Sequence, residues 1–237
     1  MKNIGPIPTH IAVLCDGNRR WARARGLKVF AGHKKAVTEN FEELIDHSIE
    51  LGLKYLTFWI FSTENWDRDK TEVEYLMNLF RRIFDKQIDG WKEKGVRFNM
   101  IGDITGFAQD IQERIKDGQE KTKKETKLTV TLAMNYGGRD ELTRAMKKIA
   151  QEVHNGEIKP EEITQKTIAA HLDTADMPDP DCIVRTSGEQ RMSGFMSWQQ
   201  QYSEFIFVPY PFPDMHAEQL DEVIAEFNKR NRRFGKG

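Results

Sequence analysis

The sequence has little cysteine and no long apolar run, and both shortages exclude classes of protein. Only Cys15 and Cys182 occur among 237 residues, and they lack the close spacing of zinc ligands. No apolar stretch approaches the roughly 18 residues that a membrane-spanning helix needs. The first ten residues, MKNIGPIPTH, contain no apolar segment like that of a signal peptide. We therefore expect a cytoplasmic protein with reduced thiols.

An excess of charge of one sign is also lacking. The chain has 36 Lys and Arg against 37 Asp and Glu, a net charge of −1. No overall field attracts nucleic acid, so affinity for anions must come from local clusters. The nucleotide-binding patterns GxxxxGK[ST] and GxGxxG are absent, and the six histidines form no HxxH or HExxH pattern. These absences argue against a nucleic-acid partner, a nucleotide site of those types and a zinc centre.

Strand and helix patterns alternate along the whole chain. Tyr55–Phe61 is almost continuously apolar, as in a strand covered on both faces. Alternation of this kind predicts one mostly parallel central sheet of about six strands flanked by helices, an α/β fold formed by a single domain over residues 1–237. The predicted strands are 10–15, 55–61, 96–100, 128–134, 181–185 and 204–208, and the predicted helices are 33–51, 71–93, 107–125, 139–154, 161–172 and 216–233.

Polar residues follow the strands where ligands bind in open α/β sheets, at the carboxyl ends. A lone carboxylate, Asp16, follows the first strand and precedes four arginines, Arg19, Arg20, Arg23 and Arg25. Guanidinium groups bind phosphate oxygens bidentately, which predicts an anionic ligand. A carboxylate among phosphates and arginines is expected to bind Mg²⁺. Glu204, at the start of the last strand, is a candidate second carboxylate.

Simpler interpretations remain open for some of these features. Asp16 also fits a helix N-cap, and Arg23 and Arg25 fit a solvated helix face. Surplus apolar side chains at 58–61 and in the 71–93 helix fit a core with a dimer contact. The alternative for that surface is a tunnel for a hydrocarbon that opens onto the phosphate site.

Several long blocks occur in one order, and together they point to a known family. They are HIAVLCDGNRRWA, AGHKKA, FSTENWDR, MIGD, NYGGRDE, IVRTSGEQRMSGFMSWQQQYSEFIFV and the FPD at 212–214. From His10 to Phe234 the chain resembles the cis-prenyltransferases of the undecaprenyl diphosphate synthase family. The resemblance implies a hydrophobic tunnel, a homodimer and a dependence on Mg²⁺. It also implies condensation of isopentenyl diphosphate onto an allylic diphosphate such as farnesyl diphosphate, to give a Z-polyprenyl diphosphate with release of diphosphate.

The resemblance implies roles for individual residues. Asp16 and Asn65 match catalytic positions, and Asp16 and Glu204 match the metal site. Arg185, Arg191 and Ser193 match the groups that hold isopentenyl diphosphate. The other implied substrate-binding residues are Gly17, Asn18, Arg19, Arg20, Trp21, His33, Ser62, Thr63, Glu64, Trp66 and Arg68.

Some positions depart from the family pattern. Ile60 replaces a frequent alanine, and if it faces the tunnel we expect a shorter product. Val29 replaces a frequent arginine, whose charge Lys28 or Arg25 would supply. Non-catalytic partner subunits of two-component prenyltransferases lose the acid that is kept here as Asp16, so we expect an enzyme. Contact with a membrane would be peripheral, since a long product must pass from the tunnel into lipid.

Overall fold

The strands form one parallel sheet in the computed structural model, which describes residues 4–230. They are β1 (His10–Leu14), β2 (Tyr55–Ser62), β3 (Val96–Ile101), β4 (Leu128–Tyr136), β5 (Cys182–Arg185) and β6 (Glu204–Phe207). Their order in the sheet is β3-β4-β2-β1-β5-β6. The predicted α/β class is confirmed. Because β2, β1 and β5 are neighbours, the loops that follow them lie close together at the carboxyl ends of the central strands.

Nine α-helices connect the strands within the described residues. They are α1 (Asn18–Ala24), α2 (Phe30–Lys35), α3 (Phe41–Leu51), α4 (Lys70–Lys86), α5 (Ile88–Lys94), α6 (Gln109–Thr122), α7 (Gly138–His154), α8 (Gln165–His171) and α9 (Ala217–Asn228). The predicted helix over 216–233 runs beyond α9, and its residues 231–233 lie outside the described part. None of the helices within residues 4–230 is long and apolar enough to cross a membrane.

Two predicted helices are interrupted. The helix predicted over 33–51 begins at Phe30 and contains a π-helical turn at Ala36–Asn40 between α2 and α3. The helix predicted over 71–93 breaks at Gln87, whose side chain donates to the Val37 carbonyl at 2.8 Å. Beyond the break, Trp91 is fully buried and donates to Glu42 at 2.7 Å. These contacts between helices therefore set the interruptions. The spacing of apolar residues along the sequence carries no information about them.

The two faces of the sheet carry cores of different size. Along β1, Ile11 and Val13 belong to the larger core, whereas Ala12 and Leu14 belong to the smaller one. This alternation is the two-residue period of a strand that is covered on both faces. A fully buried aromatic side chain stabilises the fold by about 1.5–3 kcal/mol, and the larger core contains stacked Phe41 and Phe58 with ring centroids 4.6 Å apart.

Glycines allow the loop after β1 to pack tightly. Gly17 has φ 91°, and a Cβ there would lie 2.4 Å from the Ser187 hydroxyl. A Cβ at Gly32 on α2 would lie 2.1 Å from the Asn18 carbonyl oxygen. Any side chain at either position would push the loop away from its neighbours. These close approaches fix the loop after β1 against α2 and the loop after β5.

Candidate active site

A cavity of about 490 Å³ lies at the carboxyl ends of β2, β1 and β5. Its mouth is polar and its interior is apolar. The predicted site residues that line it are Asp16, Gly17, Asn18, Arg19, Arg20, His33, Ser62, Asn65, Arg68, Arg185 and Ser193. The structure therefore brings together most of the residues that the sequence marked at three separate strand ends.

Asp16 lies at the centre of the mouth. One of its carboxylate oxygens accepts from Arg185 Nη2 at 3.0 Å. The other accepts from the Gly17 N–H at 2.6 Å and lies 3.6 Å from Arg20 Nη2. The buried Thr186 hydroxyl accepts from the Asp16 N–H at 2.9 Å. The carboxylate is therefore held rigidly among cations, with about a third of its side chain exposed.

Arg185 connects β5 to the loop that follows it. Its side chain is 7% exposed and donates to the Ser193 hydroxyl at 2.9 Å and to the Arg191 carbonyl. The Arg191 side chain points elsewhere, to Glu189, which also pairs with Arg20 at 3.1 Å. Glu189 therefore holds together two arginines that were both predicted to bind substrate, and it was not itself predicted from the sequence.

A second carboxylate, that of Glu72, lies at one side of the mouth. We call this side the cationic wall, and it consists of Arg19, His33 and Arg68 around the carboxylate. Glu72 on α4 is 5% exposed and accepts from Arg68 Nη1 at 3.0 Å. Its carboxylate also lies 3.8 Å from Arg19 and 3.9 Å from His33 Nε2. Sequence analysis missed Glu72 too, although a charged residue four positions before Leu76 and seven before Leu79 stands on the buried stripe of the helix. One carboxylate facing two arginines leaves this wall with an excess of positive charge.

Polar atoms without partners lie around the cavity. Within residues 4–230, the buried atoms that form no hydrogen bond include Asn18 Oδ1, His33 Nε2 and Arg185 Nε, all on residues that line the cavity. Burial, together with the charges of Arg68 and Arg19, lowers the pKa of His33 to about 4, so the imidazole is neutral at pH 7. Because buried polar atoms are nearly always hydrogen-bonded, unpaired ones around a cavity mark a place that a ligand completes.

The loop after β2 is ordered by its own side chains. The Ser62 N–H donates to Asn65 Oδ1 at 3.1 Å, and the Ser62 hydroxyl accepts from the backbone of Asn65. This reciprocal pair is a capping box. It places Ser62, Asn65 and Arg68 along the mouth.

Six predicted site residues do not line the cavity: Trp21, Thr63, Glu64, Trp66, Arg191 and Glu204. Two of them hold loops in place, since Trp21 Nε1 donates to Asp214 at 2.6 Å and Trp66 Nε1 donates to Asn135 at 2.8 Å. Glu64 is exposed.

The two arginines assigned to a solvated helix face behave differently. Arg23 lines the cavity. Arg25 lies over the Trp21 ring at 4.4 Å and pairs with Asp214 at 3.2 Å. Arg25 is therefore already paired and does not supply the charge missing at Val29.

Within one chain, Glu204 does not join Asp16. Glu204 begins β6 and pairs in register with Cys182 at the amino end of β5, whereas Asp16 follows the carboxyl end of β1. Because the strands are parallel, these positions lie at opposite ends of the strands. Glu204 instead pairs with Arg230 at 3.1 Å. One chain by itself therefore does not bring Glu204 beside Asp16, and the assignment of Glu204 to the metal site stays a prediction.

Asp16 alone still fits a magnesium site of the kind expected with a diphosphate. Residues 4–230 contain no group of three or more His, Cys, Asp or Glu side chains that could hold a metal. Mg²⁺ commonly binds one or two carboxylates and takes its remaining ligands from substrate phosphates and water. A single, partly exposed carboxylate at the mouth meets that requirement only when a phosphate ligand is also bound.

The interior of the cavity is lined by apolar side chains from β2, α3 and α4. Ile60 is one of them, and it lies where the register between β2 and β4 shifts, between Trp59 and Phe61. A bulge re-aims side chains next to a site. Ile60 therefore lines this cavity, and its effect on product length stays a prediction.

A further buried carboxylate lies beyond the cavity, at the start of α7. Glu141 is 1% exposed and accepts from the Tyr136 hydroxyl at 2.6 Å, from Gln199 Nε2 at 3.1 and 3.2 Å, and from the Asp173 N–H at 3.1 Å. Arg144 forms two hydrogen bonds of 2.6 Å to the Asp173 carboxylate. Burial raises the pKa of Glu141. This second cluster is saturated with partners from the chain itself.

A family model described as a putative undecaprenyl diphosphate synthase matches residues 14–235. The chain belongs to this family. It is 44% identical to isoprenyl transferase 2 of Bradyrhizobium diazoefficiens over 228 residues, which cover 96% of this chain and 90% of the relative. It is 43% identical to an isoprenyl transferase of Streptococcus pyogenes serotype M1 over 239 residues, which cover 99% and 96%. The family resemblance predicted from the sequence blocks is confirmed.

Solved structures of the family have the same fold. A lavandulyl diphosphate synthase from Lavandula x intermedia, in complex with dimethylallyl diphosphate, matches with a TM-score of 0.93 and 33% identity over 97% of this chain and 98% of that one. A probable undecaprenyl diphosphate synthase from Campylobacter jejuni matches with a TM-score of 0.79 and 30% identity over 97% and 99%. The activity of the family is condensation of isopentenyl diphosphate with an allylic diphosphate, and this chain is one of its prenyltransferases.

Proposed function

We propose that the residues of this cavity carry out the family reaction, with the allylic diphosphate group in the mouth and its hydrocarbon tail in the interior. The observation that supports this most directly is the junction of the two halves. The mouth around Asp16 and Glu72, which has an excess of positive charge, adjoins an apolar space lined by β2, α3 and α4 in the same cavity. An amphiphilic diphosphate ester has the same division of charge and hydrocarbon.

Different side chains hold the two substrates. The allylic diphosphate is bound by Arg20 and by the two arginines of the cationic wall, Arg19 and Arg68, because guanidinium groups bind phosphate oxygens bidentately. Arg185 and Ser193 hold isopentenyl diphosphate on the side of β5. Fixing both substrates in reacting geometry lowers the barrier by about 7–11 kcal/mol. As the allylic C–O bond breaks, a C–C bond forms to the isopentenyl double bond and one proton is lost.

We propose Asp16 as the residue that holds Mg²⁺. A bound magnesium ion stabilises the negative charge that develops on the leaving diphosphate. The pairing of Asp16 with Arg185 supports this role, because the hydrogen bond from the guanidinium fixes the position of the carboxylate at the mouth. Asn65, fixed by its capping box, orients the loop that lies across the mouth from Asp16.

The remaining features are proposals that rest on the family resemblance. They are farnesyl diphosphate as the primer, a homodimer, and a cytoplasmic location with peripheral contact to a membrane. The lavandulyl diphosphate synthase, whose structure is in complex with dimethylallyl diphosphate, supports an allylic diphosphate as the ligand class.

The reaction is tested with ¹⁴C-labelled isopentenyl diphosphate, an allylic diphosphate and Mg²⁺. We expect label to appear in a butanol-extractable prenyl product, and only when both substrates are present. Absence of transfer with every allylic primer, by a protein that is folded by circular dichroism, would contradict the proposal.

A further inference from the structure

We infer that Asn135, near the carboxyl end of β4, is a positioning residue for the mouth of the cavity, and that it acts through Trp66. Trp66 belongs to the 3₁₀ helix Thr63–Asp67, which also carries Asn65 and is followed by Arg68. The inference rests on the proposed function, in which Arg68 binds the allylic diphosphate. It adds a residue whose own side chain does not line the cavity.

The 3₁₀ helix after β2 has three faces, because such a helix makes one turn every three residues. One face, continued by the residue at each end of the helix, lines the cavity with Ser62, Asn65 and Arg68. A second face, with Glu64 and Asp67, is exposed. Residues three positions apart therefore share one environment, and the placement of the whole helix decides where the cavity face points.

The third face of this helix, Thr63 and Trp66, rests on the end of β4. Trp66 Nε1 donates to Asn135 Oδ1 at 2.8 Å. A Cβ at Gly137 would lie 2.7 Å from the Thr63 hydroxyl, so a side chain at this position would push Thr63 away. These two contacts explain why Thr63 and Trp66, although predicted to bind substrate, do not line the cavity.

The amide of Asn135 is fixed on its other side as well. The residue is 6% exposed, and its Nδ2 donates to the Asp103 carbonyl, in the loop after β3, at 2.9 Å. The backbone carbonyl of Asn135 accepts from the Asp103 N–H at 3.1 Å. Asn135 therefore ties the loop after β3 to the indole of Trp66, which holds the helix after β2 in place.

The backbone of Asn135 supports the same conclusion independently of these side-chain contacts. Its φ is 47°, in the left-handed region that residues other than glycine rarely adopt. Residues held in this region occur most often at functional sites, where the surrounding structure keeps them in place. The conformation of Asn135 therefore fits a residue that supports a site.

Loss of this support should affect the two substrates differently. Asn65 and Arg68 lie in the loop after β2, whereas the proposed isopentenyl diphosphate site uses Arg185 and Ser193 on the side of β5, with β1 between the two strands. A displaced helix should therefore weaken binding of the allylic diphosphate and slow turnover, without a change in the KM for isopentenyl diphosphate. A general loss of stability would instead lower the active fraction and leave each binding constant unchanged.

Two variants remove the hydrogen bond from opposite sides. Trp66→Phe removes the indole donor and keeps an aromatic ring beside Phe61. Asn135→Gly removes the acceptor and leaves a residue that adopts the left-handed conformation without strain. Trp91→Phe is the matched control, because it removes an indole donor to Glu42 at 2.7 Å from α5, which leads to the amino end of β3.

The measurements are calorimetric titration of dimethylallyl thiolodiphosphate with Mg²⁺ and steady-state transfer of labelled isopentenyl diphosphate. We expect Trp66→Phe and Asn135→Gly to raise the dissociation constant of the analogue about fivefold and to lower kcat about tenfold or more, because small misplacements of binding groups are costly. The KM for isopentenyl diphosphate should remain that of the wild type. Trp91→Phe should change none of these constants.

The double variant of Trp66→Phe with Asn135→Gly tests whether both residues act through one contact. If they do, it is no more impaired than the worse single variant, because the same hydrogen bond is lost in all three. If Asn135→Gly does not fold, the comparison of Trp66→Phe with Trp91→Phe decides alone.

Three results would overturn the inference and leave the proposed function intact. They are wild-type constants in Trp66→Phe, equal impairment in Trp91→Phe, and impairments that multiply in the double variant. If the wild type itself bound no allylic analogue, the proposed function would fail, and this inference with it.

Discussion

Two buried glutamates near the same edge of the sheet are surrounded in opposite ways. Glu72 faces Arg68 and Arg19, and the buried His33 Nε2, 3.9 Å from its carboxylate, forms no hydrogen bond within the described part of the chain. Glu141 receives four hydrogen bonds from protein groups, and its neighbour Asp173 is paired with Arg144. A saturated network stabilises the fold, whereas an unsaturated one with excess positive charge leaves capacity for an anion. The cluster around Glu72 therefore fits the proposed anion site, whereas the cluster around Glu141 fits a structural network.

The largest effect is expected at the mouth. Asp16→Asn keeps the size of the side chain but removes the charge, and we expect turnover to fall about a thousandfold, or about 4 kcal/mol. The melting temperature should stay close to that of the wild type. Steady-state transfer of labelled isopentenyl diphosphate and differential scanning calorimetry measure the two quantities.

Asp173→Asn is the matched substitution in the saturated cluster. It breaks a pair in which the side chains of Asp173 and Arg144 are 12% and 21% exposed, so we expect a loss of about 3 kcal/mol in the free energy of unfolding. Turnover per folded molecule should change little. If Asp173→Asn abolished turnover while Asp16→Asn left it near the wild-type rate, the assignment of the two clusters would be reversed.

A pH dependence is expected from His33 beside the arginines. The pKa of His33 is about 4 in the fold, against about 6.5 when unfolded. As pH falls from 6.5 to 4, the unfolded chain takes up a proton that the folded chain refuses, so stability falls by about 3 kcal/mol. We expect the wild type to lose about that much more than His33→Gln over this window in urea unfolding.

His10 provides an internal reference for this measurement. Burial also lowers its pKa to about 4, and it is present in both proteins, so its contribution cancels in the difference. Equal losses of stability in the wild type and in His33→Gln would show that the imidazole is not held neutral at the cationic wall.

A smaller effect is expected from Glu72→Gln. The amide leaves Arg68 and Arg19 without their carboxylate, which we expect to lower the free energy of unfolding by about 2 kcal/mol. A diphosphate analogue supplies the missing negative charge. Its binding should therefore raise the melting temperature of Glu72→Gln by more than that of the wild type. A smaller rise in the variant would contradict the role given to this wall.

The smallest effect is expected from Tyr136→Phe. It removes one of the donors to Glu141, and we expect a loss of about 1 kcal/mol with unchanged turnover. Chemical denaturation and the transfer assay check this. A loss of turnover without a loss of stability would place Tyr136 in the catalytic machinery instead.

The fold and much of the mouth could be predicted because both follow from local patterns. Apolar periods fixed the strands, and parallel strands bring their carboxyl ends to one edge, which gathered Asp16, Arg68 and Arg185. Glu204 does not join them within one chain, because it begins its strand and a parallel strand puts its first residue at the opposite end of the sheet.

Other features depend on contacts that a single pattern does not contain. Glu72 was missed because its partners come from α1, α2 and the loop after β2, which only the fold brings together. The break at Gln87 depends on a carbonyl fifty residues earlier in the chain.

The central claim is that the arginines beside Glu72 bind the allylic diphosphate, whereas the cluster around Glu141 is structural. Its most direct test is calorimetric titration of dimethylallyl thiolodiphosphate with Mg²⁺ into the wild type, Arg68→Gln and Tyr136→Phe. We expect Arg68→Gln to weaken binding about tenfold or more, because a charged hydrogen-bonding partner of the diphosphate is lost, and Tyr136→Phe to bind as the wild type does. Wild-type affinity in Arg68→Gln, or equal weakening in both variants, would contradict the claim.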